Sequence, residues 1–229
     1  MKKISLITVV YNAADYIEQT ILSVINQTYS NIEYIIIDGG SKDGTLELIK
    51  KYESKISIWK SENDDGIYHA MNKGINLASG EVIGFINADD FYFNDDCVSD
   101  IMQIFNSTET DICYGDCIQV SRKNVNKVIR YWKSGEFGVK DYSKGWYPPH
   151  PSFFVSKFLF NKFGIFDLSY TIASDVDLML RFMSSTEKQI CYLPKIIVKV
   201  RAGGLSNKNI LNIIKLNVEI WNSLKKYQL

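Results

Sequence analysis

Ile4-Ser-Leu-Ile-Thr-Val-Val10-Tyr11-Asn12 is a short, largely β-branched run stopped by a turn-forming Asn. Such a run reads as a strand buried on both faces. Outward from it, Asp15 to Gln27 carries Ile17, Ile21, Leu22, Val24 and Ile25 at helical spacing. Ile32 to Ile37 is a second apolar strand, ended by Asp38-Gly39-Gly40-Ser41. Asp43 to Tyr52 predicts a helix, with acids at its start and lysines near its end, where the helix dipole favours them. Ile56 to Trp59 is a third strand, Tyr68 to Ala78 a helix ended by Ser79-Gly80, and Glu81 to Ile86 a fourth strand ended by Asn87-Ala88-Asp89-Asp90. Strands and helices alternating over short connections specify an α/β fold, a mostly parallel, doubly wound sheet with helices on both faces. Right-handed crossovers bring the strands' carboxyl ends to one edge, where ligands bind. Tyr11, Asp38 and Asp89-Asp90 all follow strand ends, so one cleft is expected to hold them all.

After about residue 105 the rhythm changes. Asp111 to Val120 and Lys127 to Trp132 predict strands, and Gly135 to Pro151 is irregular and aromatic. Ser156 to Phe163 and Ser174 to Met183 predict helices, Gln189 to Leu193 and Ile196 to Val200 short strands, and Asn207 to Tyr227 a long helix. With 229 residues, no repeat and no linker, one domain is expected, a nucleotide-binding half (about 1–105) followed by an acceptor-binding half (about 106–229).

Hydrophobic residues make up 46% of the chain, enough for a sizeable core. Lys plus Arg and Asp plus Glu both number 26, and without a basic excess no nucleic-acid partner is expected. Cys97, Cys113, Cys117 and Cys191 form no CxxC pair and read as small buried hydrophobes of a reducing compartment. The basic Met1-Lys2-Lys3 leads into Ile4 without a small-residue cleavage site, and no apolar run approaches the ~18 residues of a membrane span. A cytoplasmic protein is expected.

Four clusters carry chemistry. Asp89 and Asp90 repel each other unless a cation sits between them, and Mg2+ or Mn2+ typically takes one or two protein acids plus substrate phosphates. The same acids equally suit a solvated turn opening the helix near Asp95-Asp96. Asp38 can accept a hydrogen bond from a base N–H, or serve turn chemistry with its Gly-Gly-Ser neighbours. Asp175 and Asp177 open a helix: one can be a general base, and the other can favour the helix start or pair with Arg181. His150 lies in Trp146-Tyr-Pro-Pro-His-Pro-Ser152, either a structural residue or part of an aromatic surface for sugar rings. There is no GxxxxGK[ST] phosphate loop and no GxSxG elbow, and two histidines leave a His-rich zinc site out.

Leu6-Ile-Thr-Val-Val-Tyr-Asn12, Ile37-Asp-Gly-Gly-Ser-Lys-Asp-Gly-Thr45, Asp64-Asp-Gly-Ile-Tyr-His-Ala-Met-Asn-Lys-Gly-Ile75 and Gly84-Phe-Ile-Asn-Ala-Asp-Asp90 stand in the order seen in glycosyltransferase family 2, the inverting enzymes of the GT-A (Rossmann-like) fold, and together resemble it. His150-Pro-Ser-Phe-Phe154, Phe166-Asp167, Ala173-Ser-Asp-Val-Asp-Leu178 and Gly203-Gly-Leu-Ser206 resemble a bacterial subgroup that builds surface polysaccharides such as O-antigen. The resemblance implies that Tyr11 and Asp38 hold the nucleotide base, usually uracil. Asp64 and Lys73 match nucleotide-contacting positions. Asp89 and Asp90 match the DXD motif that binds metal and donor diphosphate, and Asp175 matches the catalytic base. Asn87 stands where the first acid of DXD is usual, and Ser174 where Glu usually precedes the base. No QxxRW follows, which implies single transfer rather than processive synthesis.

The expectation is therefore a metal-dependent (Mn2+ or Mg2+) hexosyltransferase moving sugar from a nucleotide-diphosphate sugar, a UDP-sugar by resemblance, to a saccharide acceptor. That acceptor, again by resemblance, is lipid-linked at the inner membrane face. A catalytically silent sugar-nucleotide binding module and a nucleotidyltransferase are the rivals. Val9-Val-Tyr-Asn-Ala-Ala14 stands where the latter needs a Gly- and Arg/Lys-rich loop. The last helix pairs Lys208, Lys215, Lys225 and Lys226 with an apolar stripe, which fits either a membrane surface or packing on protein.

Overall fold

The protein's structure, a computed structural model, describes residues 1–136, 139–185, 190–203 and 210–227. Gln189, Gly204-Leu205-Ser206 and Asn207 to Asn209 of the predicted elements lie outside the described residues.

The expected front half is present. Strands β1 (Ile4–Val10), β2 (Ile32–Asp38), β3 (Ile58–Ser61) and β4 (Val82–Phe85) alternate with helices α1 (Ile17–Ile25), α2 (Thr45–Lys51) and α3 (Ile67–Leu77). The strands pair in parallel in the order β3-β2-β1-β4. Every residue of β1 is buried because both sheet faces are covered. Ile7, Ile35 and Ile83 face a core with α3, whereas Leu6, Ile36 and Val82 face one with α1 and α4 (Cys97–Ser107).

The back half extends the same sheet. Strand β6 (Ile112–Val120) runs parallel to β9 (Ile190–Arg201), and β7 (Val128–Trp132) lies antiparallel on β6. Helices α5 (Lys157–Phe163), α6 (Ser174–Ser185) and α7 (Ile210–Lys226) follow. Two strands go beyond the sequence reading. Phe153–Ser156, β8, carried no expectation beyond the helix start at Ser156, yet it joins the two halves by pairing antiparallel with both β4 and β6. Gly84 makes that junction possible: a Cβ there would stand 2.6 Å from the Phe154 ring. Phe91–Tyr92, β5, is a two-residue edge strand on β9.

The two short strands expected after residue 189 are one strand. Pro194 lacks an N–H, which interrupts the ladder without ending the strand. β9 bulges there, and its register on β6 shifts between Tyr114 and Cys117. The bulge presses on Gly115, where a Cβ would meet Ile197 at 2.4 Å. Cys97, Cys113 and Cys117 are buried and Cys191 is half-buried, all as free thiols.

Candidate functional site

Strands β1 to β4, β6 and β9 run in one direction, so their carboxyl ends share an edge. The loops at that edge are cross-tied. Asn12 adopts a left-handed conformation (φ 48°), and its N–H donates to Ser41 Oγ at 2.8 Å while its Oδ1 accepts from Lys42 N at 2.9 Å. Ala13 N donates to Thr45 Oγ1 and Ala14 N to Asp43 Oδ2.

An open pocket of about 470 Å³ lies here, lined by Tyr11, Gly39, Gly40, Lys42, Asn63, Asp64 and Gly66. Tyr11 presents its ring to solvent, 66% exposed. Gly39 admits the Asp64 loop, since a Cβ on it would stand 2.6 Å from Asp64 Oδ2. Asp64 Oδ1 accepts from Gly66 N at 3.0 Å. Lys73 stands behind the pocket, bonded to Glu62 at 2.8 Å and Asn63 O at 3.3 Å. Asp38 is fully buried beneath the pocket. Its Oδ2 accepts from Gly40 N and Ser41 N, both at 3.0 Å, and from Ser61 Oγ at 2.6 Å, while its Oδ1 accepts from Ser41 Oγ. The carboxylate thus shapes the Gly-Gly-Ser turn.

The Asn87–Asp90 turn follows β4. Asp90 is buried, accepting from Asn87 Nδ2 at 2.9 Å and Arg201 N at 3.0 Å. Burial, and then the charge of Asp89, push its carboxyl up to about 7. Asp89 is half-buried and pairs with Arg122 at 3.0 Å. Arg122 lies over the Tyr16 ring at 4.5 Å, and the Arg201 guanidinium donates to Asp89 O and Gln19 Oε1. Sequence reading missed both arginines. No local pattern marks them: Arg122 stands two residues beyond β6 and Arg201 ends β9, and only the pairing of these strands in one sheet brings both to the acidic turn.

No group of three or more His, Cys, Asp and Glu side chains among the described residues is placed to hold a metal alone. The donors at Asp89 and Asp90 are carboxylate oxygens, which suit Mg2+ or Mn2+ completed by phosphate oxygens. Asp90 is buried beside the like charge of half-buried Asp89, a cost that a divalent cation removes, so the residues fit such an ion.

Asp175 lies half-buried in the first turn of α6. The Tyr68 hydroxyl stands 3.0 Å from its Oδ1 and 2.7 Å from Ile172 O. Buried His150 stacks on Phe85 at 5.2 Å. Burial lowers the imidazole's pKa against the pull of Asp175. Burial, and then the Asp175 charge, raise the phenols of Tyr142 and Tyr147. Asp177 turns the other way. It is fully buried, 3.4 Å from Lys226 Nζ and 3.9 Å from Arg181 Nη2.

The structure therefore gathers the expected residues into three adjoining groups, a pocket at Tyr11 and Asp64, an acidic turn with two arginines, and an aromatic recess around Asp175. The turn joins β4 to the recess through Phe85 and His150, and the pocket loop runs into α3, which carries Tyr68.

Comparison with known proteins identifies the family and the fold. Residues 5–168 match the family described as Glycosyl transferase family 2. An uncharacterized glycosyltransferase of Mycobacterium tuberculosis is 30% identical over 183 residues, 78% of this chain and 68% of the relative. A PGL/p-HBAD biosynthesis glycosyltransferase of Mycobacterium bovis is 27% identical over 208 residues, 89% of this chain and 78% of the relative. The crystal structure of S. aureus TarS 1-349 superposes with a TM-score of 0.74 at 18% identity, over 97% of this chain and 65% of that one. Mannosyltransferase PcManGT from Pyrobaculum calidifontis, in complex with GDP-Man and Mn2+, superposes with a TM-score of 0.66 at 17% identity, over 86% of this chain and 56% of that one. This chain spans less than two thirds of either solved chain. The fold is that of GT-A glycosyltransferases, and the chain belongs to glycosyltransferase family 2.

Proposed function

We propose that the protein transfers a sugar from a UDP-sugar to a hydroxyl of a saccharide acceptor, with inversion at the anomeric carbon, in the assembly of bacterial surface polysaccharide. One observation carries this reading. α3 starts directly behind the pocket residue Gly66, and its Tyr68 hydrogen-bonds Asp175. Donor pocket and candidate base are thereby joined through one helical turn.

Asp175 takes the proton of the acceptor hydroxyl as that oxygen bonds to the anomeric carbon. The bond from that carbon to the diphosphate oxygen breaks, and the nucleoside diphosphate leaves. Such general-base help is worth ~10²–10⁴-fold. Burial of Asp177 against Lys226 and Arg181 supports Asp175 in this role. Tyr11 offers its exposed ring to the base, Asp38 holds the turn beside it, and Asp64 and Lys73 fix the facing loop. Asp89 and Asp90 would hold Mn2+ or Mg2+, which when bound neutralises charge on the leaving diphosphate. Residues 1–105 serve the donor and 106–229 the acceptor within one domain, acting at the cytoplasmic side on an acceptor that is lipid-linked. Solved chains of the same fold in complex with UDP-GlcNAc and with GDP-Man and Mn2+ support a nucleotide-sugar donor.

Calorimetric titration of UDP and then GDP, with and without Mn2+, tests the reading. Mn2+-dependent binding of UDP is expected. Asp175→Asn should keep that binding and lose turnover by ~10²–10⁴-fold. Binding without turnover in the unmodified protein identifies a silent sugar-nucleotide module, and no binding of either nucleotide refutes the donor site.

A further inference from the structure

Helix α7 has two apolar faces. Leu216, Ile220 and Leu224 recur every four residues and pack on the core. Opposite them, Ile210, Leu211, Ile214, Val218 and Trp221 are 73%, 71%, 56%, 53% and 58% exposed. Nothing in the protein covers this second face among the described residues. A row of large apolar side chains in water marks a surface that another apolar phase covers.

The charges select the phase. Lys215 and Lys225 are exposed beside the row, and Lys225 Nζ lies 5.3 Å over the Trp221 ring. The helix's only acid, Glu219, is buried on the inner face. A second copy docked through the same face would bring lysines against lysines with no carboxylate to receive them. A bilayer rich in anionic headgroups offers acyl chains for the row and phosphates for the lysines. Trp221 suits the headgroup boundary, where an amphipathic ring is apolar on its body and polar at its N–H.

We propose that the outer face of α7 lies on an anionic lipid surface, with its apolar row in the headgroup–acyl boundary and Lys215 and Lys225 on the phosphates. The inner face of the same helix reaches the acceptor side of the site. Glu219 accepts from the N–H groups of Thr171, Ile172 and Ala173, at 2.9 to 3.2 Å, just ahead of Asp175. A helix so placed sets the recess around Asp175 next to the lipid. The proposal accords with a lipid-linked acceptor but does not require one.

Sedimentation of the full chain with vesicles tests it, using phosphatidylcholine alone against phosphatidylcholine mixed with phosphatidylglycerol. Two lysines near the surface predict roughly thirtyfold tighter binding to the anionic vesicles, weakened by salt. Ile214→Glu with Val218→Glu replaces exposed residues and is expected to abolish binding with the circular dichroism spectrum unchanged. Lys215→Glu with Lys225→Glu should remove the anionic preference. A blue shift of Trp221 emission on adding vesicles, absent in Trp221→Phe, reads the same contact with the face intact. The proposal falls if the protein does not bind anionic vesicles, if the Ile214/Val218 variant binds equally well, or if Trp221 emission does not move. It also falls if light scattering finds a dimer that the Ile214/Val218 variant splits. The vesicles carry neither donor nor acceptor, so this result and the nucleotide titration fail independently.

Discussion

Asp175 and Asp177 lie two residues apart near the start of α6, and a helix turns such neighbours to opposite sides. One faces Tyr68 and the aromatic recess, and the other faces Arg181 on its own helix and Lys226 across the packing with α7. The sequence left that pair open because both acids suit a helix start equally; only the position of α7 separates them. Asp38 and the Asn87–Asp90 turn were legible as acids at strand ends. Their partners were not. A single Arg after a strand carries no local pattern, and Arg122 and Arg201 meet Asp89 and Asp90 only because β6 and β9 pair in register to Val120 and Arg201. Arg122 is the informative one to remove, since it is partly exposed and holds Asp89 with a single contact at 3.0 Å. In the proposed reading, a donor diphosphate at the acidic turn meets this guanidinium, and charge-assisted bonds of that kind are worth roughly 1.5–3 kcal/mol. Arg122→Ala is therefore expected to weaken UDP binding by about tenfold or more in calorimetry, with the melting temperature little changed. Unchanged affinity would mean that Arg122 only shields Asp89.

Between elements, hydrophobic period identified the front half, where β1, β2 and β4 are largely apolar, buried runs and α1 and α3 have wide apolar stripes. It failed at β8 and β9 for separate reasons. Phe153-Phe-Val-Ser156 is four residues against a Pro-rich loop, too short to show a period, and it is a strand because β4 and β6 flank it. Pro194 reads as a strand end, yet β9 absorbs it as a bulge over Gly115. Helix α7 was legible as amphipathic, but its division into a packed and an exposed face needed the fold. Its inner face holds the start of α6 through Glu219. Glu219→Gln turns one of the two carboxylate oxygens that three backbone N–H groups share into an NH2 that cannot accept, and leaving a buried donor poorly paired costs about 1–3 kcal/mol. The expected result is a clearly lower turnover number with UDP affinity unchanged, because the Thr171–Ala173 segment carries Asp175 and not the donor pocket. Equal losses in UDP affinity and turnover would show general unfolding rather than misplacement of the recess.

Across the whole molecule, the cleft edge is rich in charge and the opposite edge of the sheet is tied by one buried acid. Glu33, the second residue of β2, is in register with Ser5 of β1. It accepts from Lys3 Nζ at 2.8 Å, Ser5 Oγ at 2.5 Å, and Ser79 N and Oγ at 2.7 and 2.6 Å, binding β1, β2 and the α3–β4 turn together. Burial alone would raise its carboxyl, but the bonds from Lys3, Ser5 and Ser79 outweigh burial and bring it down to about 2. A carboxyl lowered on folding stabilises the native state above its unfolded value, about 4.3, and loses that contribution as pH falls through about 2. The shift corresponds to roughly 3 kcal/mol at neutral pH, as an order of magnitude. Glu33→Gln should therefore lower the urea midpoint substantially at pH 7 and at pH 5, with the gap to the unmodified protein narrowing at pH 3. UDP binding at pH 7 by the folded variant should be unaffected, since this tie is at the amino edge and the donor pocket at the carboxyl edge. A gap that stays constant from pH 7 to pH 3 would place the stabilisation in packing rather than in the ionised carboxylate. A gap that narrows would show that the sheet edge opposite the cleft is held by the ionised carboxylate of Glu33.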